Sequence, residues 1–214
     1  MDFCLRIDLD YVPWDADEHD EPAMLVRLLD QARSSGWKHH FFASTRTVRA
    51  FSPLAESILN EGHDLDWICP RPEHVVADLR EASTVFGVHG QALAGAGLIS
   101  AWPAGLPGPE ALRWYSSIDG TGPDDALIFP ALWISPKEAS RRGFGGEMWG
   151  EMVEERVTQT DASVAIRVQP SFLARIDPRL RMLDKLIAAL LSQGRQMRTM
   201  REWTNQVSSI DPQH

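Results

Sequence analysis

The stretch FCLRIDLD, residues 3 to 10, decides how the rest of the chain is read. A short apolar run broken by polar residues and ending on two aspartates is the pattern of a strand entering a carboxylate-lined loop. Acids and Pro22 follow and open a helix in which Met24, Leu25, Leu28, Leu29 and Ala32 recur at helical spacing, until Ser34-Ser35-Gly36 stops it. HHFFAS at 39 to 44 predicts a second strand. The apolar face formed by Val48, Phe51, Ala55, Ile58 and Leu59 predicts a second helix from about Thr47 to Asn60. HDLDWI reads as strand three. Pro70 and Pro72 then introduce a helix from Glu73 to about Thr84, because the first helical turn tolerates proline where its N–H would have no partner.

This alternation of strand and helix predicts a parallel sheet or barrel with right-handed crossovers. Residues 85 to 110 are rich in glycine and proline and read as loops around a short strand at Leu98 to Trp102. LRWYSSI and ALIFPALWI predict further strands, and residues 136 to 158 are largely helical. SVAIRV at 163 to 168 is a late strand, a helix spans Pro178 to Ser192, and QMRTM closes the pattern as a strand-like segment. The expected fold is α/β: one distorted (β/α) barrel of seven or eight strands, covering residues 1 to 214 as a single domain. A doubly wound open sheet is the alternative.

The 214 residues carry 30 acids against 21 bases, a formal net charge of −9. Acidity of this degree argues against general nucleic-acid binding, which gains its affinity from basic surface that releases counterions. Residues 1 to 21 hold eight of the acids and one base, Arg6. On a barrel that cluster would rim the first strand's end and favour cations over anionic sugars. No stretch approaches the roughly 18 apolar residues of a membrane span. The start, Met-Asp-Phe, lacks a cationic and then apolar leader, and Cys4 and Cys69 lack CxxC spacing. A cytoplasmic protein without nucleic-acid or membrane partners is expected.

In such folds function collects at the C-terminal strand ends. Asp8-Leu9-Asp10, the run from His63 to His74, Trp102-Pro103-Ala104-Gly105 and Gln169-Pro170 all fall there. Their order resembles the NodB or polysaccharide deacetylase family, carbohydrate esterase family four, over nearly the whole chain. RIDLD at 6 to 10 is similar to that family's RID-x-D, and FFASTRTVRAFSPLAESILNEGHDLDW at 41 to 67 follows its course up to the GHE segment. SVAIRVQP is similar to its strand ending in His-Pro. WYSSID at 114 to 119 resembles its tyrosine-rich segment, whose backbone helps hold an oxyanion. The resemblance implies a hydrolase that cleaves the C–N bond of an acylated amino sugar or small amide. Asp8 would be the general base, Asp10 a ligand to one divalent metal such as zinc, and Tyr115 part of the substrate-binding segment.

The departures from that pattern are chemical. Counted from Gly62-His63, the family's two metal histidines fall at Ile68 and Pro72; Trp102 stands where an arginine orients the base, and Gln169 where a histidine is catalytic. Two carboxylates alone hold a divalent cation weakly, whereas a catalytic zinc takes three protein ligands and an open position. His74 and Cys69 are displaced candidates that would complete a set with Asp10. Otherwise His74 faces solvent and Cys69 is a small buried apolar group. Without a metal, Asp8 would act on water, its pKa set by Asp10 and by burial, with His63, Trp102, Tyr115 and Gln169 as substrate-binding residues. The aspartates also suit capping of the next turn. Trp67 and Trp133, inside predicted strands, are expected to fill the core, and Trp102 to face the pocket. Two functions stay open: an amide hydrolase, or a metal-free relative that binds a ligand or a partner protein.

Overall fold

The structure, a computed structural model, describes residues 1 to 9, 20 to 118 and 120 to 210. Strand β1 (Asp2–Leu9) shows why its sequence alternates: Phe3, Leu5, Ile7 and Leu9 join one hydrophobic cluster, and Cys4 joins another. Successive side chains on a strand point to opposite faces, so Arg6 and Asp8 share the side of Cys4. After α1 (Asp20–Ser35) come β2 (His40–Ala43), α2 (Thr45–Ala50), α3 (Ser52–Asn60), β3 (Asp64–Cys69), α4 (Val75–Gly87) and β4 (Gly95–Leu98). They are followed by β5 (Trp114–Ser117), β6 (Leu127–Pro130), α5 (Pro136–Arg141), α6 (Gly146–Thr158) and β7 (Val164–Val168). The described chain ends with α7 (Pro170–Ile176), α8 (Arg181–Ser192), β8 (Gln196–Met197) and α9 (Met200–Ile210).

Every strand pairing is parallel, in the order β6-β5-β4-β3-β2-β1-β7, with β8 added beside the start of β1. A bridge between Ala131, just past β6, and Ala165 of β7 brings the two ends of this path together. The sheet is thus curled into the expected distorted barrel. Its outer face packs Leu5, Ile7, Phe41, Leu65 and Ile166 against helix residues such as Leu28, Val153 and Leu186. Full burial of each such side chain contributes about 1.5–3 kcal/mol. The inside is smaller and more aromatic: Phe42, Ile68, Trp114, Phe129 and Ala165, closed by Met200 and Trp203 of α9.

The expected terminal strand shrinks to Gln196–Met197, and helix α9 begins at its last residue, Met200. The cause is a capping box: the Thr199 N–H donates to Glu202 Oε2 at 2.8 Å and the Glu202 N–H to Thr199 Oγ1 at 3.3 Å, which satisfies two first-turn donors. The helix is fastened to the N-terminal end of the barrel. The Met200 N–H donates to His40 Nδ1 at 3.2 Å, which leaves Nε2 as the protonated nitrogen facing Asp66 at 3.1 Å. Arg201 grips the same buried Asp66 with two bonds of 2.9 Å.

Other boundaries differ from expectation for local reasons. The helix expected from Thr47 to Asn60 breaks at Phe51, whose backbone leaves the helical region (φ −130°, ψ 50°), and restarts with Pro53 in its first turn. The helix expected from Glu73 begins at Val75, after a 3-10 turn at Pro72–His74. The strand expected at Leu98 to Trp102 lies at Gly95–Leu98, in spite of two glycines. A Cβ on Gly97 would stand 2.8 Å from a Phe42 ring carbon and 3.0 Å from Arg6 Nη2, so glycine is needed to admit both side chains. Trp133, expected inside a strand and in the core, lies beyond the end of β6 and is 41% exposed.

Candidate functional site

The register of β1 and β7 places Arg6 directly opposite Arg167, both on the inward face. Two cations so close are tolerated only with a counter-charge between them, and Asp8, one step further along β1, supplies it. Arg6 Nε donates to Asp8 Oδ1 at 2.7 Å and Nη2 to Oδ2 at 3.2 Å; Arg167 Nε donates to Oδ2 at 2.5 Å. Arg6 and Asp8 are fully buried, and Arg167 is nearly so. The remaining Arg6 donors go to Ser116 O at 2.7 Å, Ser116 Oγ at 3.1 Å and Leu98 O at 3.2 Å, and its guanidinium lies 5.0 Å over the Phe42 ring. Gln169 turns its amide oxygen to Arg167, accepting from Nη2 and Nε at 3.1 Å, and its nitrogen to Ser135 Oγ at 3.2 Å.

This arrangement governs the acidity of Asp8. Burial by itself would raise the carboxyl, but the charges of Arg6 and then Arg167, with their hydrogen bonds, outweigh it and hold it below its ordinary value. A carboxylate so strongly stabilised is a weak base, and three donors already occupy its oxygens. General-base catalysis asks for the opposite: a pKa near the working pH and a lone pair within reach of water.

The other sequence-derived candidates are dispersed. Asp10 and the last residue of WYSSID, Asp119, lie outside the described residues. Ile68 belongs to the barrel's inner core and Pro72 is buried at the start of the 3-10 turn. Cys69 packs in the outer cluster, and burial pushes its thiol up to about 12. His74 is exposed. His63 is buried at the opposite end of β3, stacked 5.5 Å from His39, with Nδ1 accepting the His39 backbone N–H at 3.2 Å. Tyr115 and Trp102 do meet, at 5.0 Å between rings, yet in the outer layer. Both are buried, and the Trp102 indole N–H is spent on Leu106 O at 2.8 Å. Among the described residues no three His, Cys, Asp or Glu side chains gather so that they could hold a metal ion. The described donors therefore do not fit a catalytic zinc. Arg6 and Arg167 are the site residues that sequence reasoning missed, although an arginine alternating into an apolar strand already demands a buried partner.

No family profile matches the chain, and no curated protein sequence does. Solved structures do. PuuE allantoinase superposes with a TM-score of 0.73 at 10% identity, covering 99% of this chain and 91% of that one. A protein from Mycobacterium smegmatis assigned as a polysaccharide deacetylase gives 0.72 at 14% identity, over 97% and 90%. A CE4 family pseudoenzyme from Bacillus anthracis gives 0.62 at 13%, over 94% of this chain and 64% of that one; its mutant with restored enzymatic activity gives 0.61 at 14%, over 94% and 66%. This chain thus spans just under two thirds of the Bacillus anthracis protein. It has the NodB, or CE4 deacetylase, fold.

Proposed function

We propose that the chain is a non-hydrolytic relative of the polysaccharide deacetylases, a barrel that binds a ligand or partner protein without cleaving it. The observation that carries this reading is the clamp of Arg6 and Arg167 on Asp8, the residue in the general-base position. Asp8 is ionised but committed, Gln169 cannot shuttle a proton as a histidine would, and Ile68 and Pro72 offer no metal donor. An inactive barrel has a parallel in the CE4 pseudoenzyme of Bacillus anthracis, which shares the fold. The two thiols, both unpaired and buried, suit a cytoplasmic setting, and among the described residues no helix is long and apolar enough to cross a membrane.

The test is turnover. Purified protein is incubated with an N-acetylated chitooligosaccharide and with allantoin, each with and without added zinc. Release of acetate or allantoate at the rate of the protein-free blank is expected. Turnover that a chelator stops, or that Asp10→Asn abolishes, would overturn the reading in favour of an amide hydrolase.

A further inference from the structure

We propose that the cleft beside the bridge closing β6 onto β7 binds a sugar ring that carries an acidic group, either carboxylate or phosphate. The cleft has a volume of about 330 Å³, at the lower end of the range for small-molecule sites. Its most unusual wall is Trp133, a large aromatic left 41% exposed on a chain that buries Trp67, Trp102, Trp114, Trp149 and Trp203. The Arg142 guanidinium lies 4.8 Å over the Trp133 ring and covers one face with a cation. The exposed part of Trp133 lines the cleft and can take the apolar C–H surface of a ring, the contact that aromatic side chains make with flat or saturated rings.

The polar walls point to what else that ring bears. Arg156, exposed on α6, lines the cleft and makes no ion pair or hydrogen bond among the described residues. Thr160 Oγ1 accepts from Ala162 N–H at 3.3 Å and Ser163 Oγ from Asp2 N–H at 3.2 Å, so each hydroxyl keeps its own proton to donate. Gln159 spends its amide nitrogen on Glu155 at 3.0 Å and retains its oxygen as an acceptor. The described lining holds no acid. One aromatic face, two hydroxyl donors, one amide acceptor and one unpaired guanidinium together match a hydroxylated ring with a single negative charge. The site shares no lining residue with Asp8 and its arginines, so its failure would leave the proposed function standing.

Calorimetry and saturation-transfer NMR on the full chain test it, with glucuronic acid, glucose 6-phosphate, glucose and inorganic phosphate as probes. Binding of at least one acidic sugar is expected, about tenfold tighter than glucose, and which of the two binds identifies the acidic group. Trp133→Ala should weaken that binding about tenfold, while Arg156→Gln should erase the preference over glucose. Both positions are exposed, and an unchanged circular dichroism melt verifies folding. The proposal fails if neither acidic sugar binds, if glucose binds equally well, if Trp133→Ala changes nothing, or if inorganic phosphate alone matches glucose 6-phosphate.

Discussion

Replacement of Asp8 by asparagine separates a structural counter-ion from a catalytic base. In the native barrel the carboxylate accepts three hydrogen bonds from two guanidinium groups whose Cα atoms are in register. Asparagine keeps the shape and loses the charge, and its NH₂ group must confront guanidinium donors. Removing one member of a buried, hydrogen-bonded ion cluster costs roughly 3–5 kcal/mol, since the remaining charges stay desolvated. With a urea dependence of about 2 kcal/mol per molar, the unfolding midpoint falls by about 2 M. A second change, Arg167→Gln in the Asp8→Asn background, removes the surplus cation and should restore about half of the loss, because the two sites are coupled. A residue serving mainly in catalysis behaves otherwise, its loss leaving stability unchanged or improved. Urea unfolding followed by tryptophan fluorescence decides between them. A midpoint shift for Asp8→Asn below about 0.3 M, or further destabilisation by Arg167→Gln, refutes the reasoning. The native carboxyl is held below its ordinary value, so its contribution is fully present above about pH 4 and lost as pH falls through the lowered value; the cost of the variant is constant between neutral and mildly acidic pH.

Three further outcomes follow from other parts of the barrel. Burial and the stacked His63 hold the His39 pKa down to about 3, so stability declines below pH 6.5 by about 1.4 kcal/mol per pH unit on account of this group; His39→Phe should flatten that part of a stability–pH curve, and an equal slope in the variant contradicts it. Gly97→Ala forces a methyl against Phe42 and Arg6, at a cost of about 1–3 kcal/mol read from urea unfolding; a variant as stable as the parent would show that the ion cluster tolerates displacement. Arg201→Ala leaves Asp66 with His40 as its remaining described partner, and hydrogen exchange should then report α9 opening well before the rest of the chain; unchanged protection of α9 counts against its fastening by this contact.

Much of the fold was legible because strand and helix periods are strong signals: RIDL at 6 to 9, HFFA at 40 to 43 and VAIRV at 164 to 168 all lie in parallel strands. What escaped were features fixed by distant partners. Nothing local in QMRTM shows that Thr199 and Glu202 will cap a helix over the barrel's end, and Trp133 looks like a strand residue until β6 stops at Pro130. At the site, attention to acids, histidines and cysteines found Asp8 and passed over the arginines on either side of it. Arg6 is two residues away and Arg167 is 159 residues away, so the cluster exists only once β7 pairs with β1. Trp102 and Tyr115 were read as substrate-binding residues, but Tyr115 pairs with Ala96 across β4 and β5 and packs with Trp102 in the outer cluster, a placement set by a partner strand and not by the local sequence. His63 and Cys69, six positions apart on and beside one strand, are separated by about 20 Å at the rise of an extended chain.

Zinc titration by calorimetry on the purified full chain, at neutral pH and after removal of adventitious metal, tests the central claim most directly. With Asp8 committed to Arg6 and Arg167 and no histidine at positions 68 and 72, the account predicts no stoichiometric heat and the same flat trace for Asp10→Asn. One zinc per chain, bound tightly and lost in Asp10→Asn, would mean that the strand-end carboxylates still build a metal centre, and would contradict it.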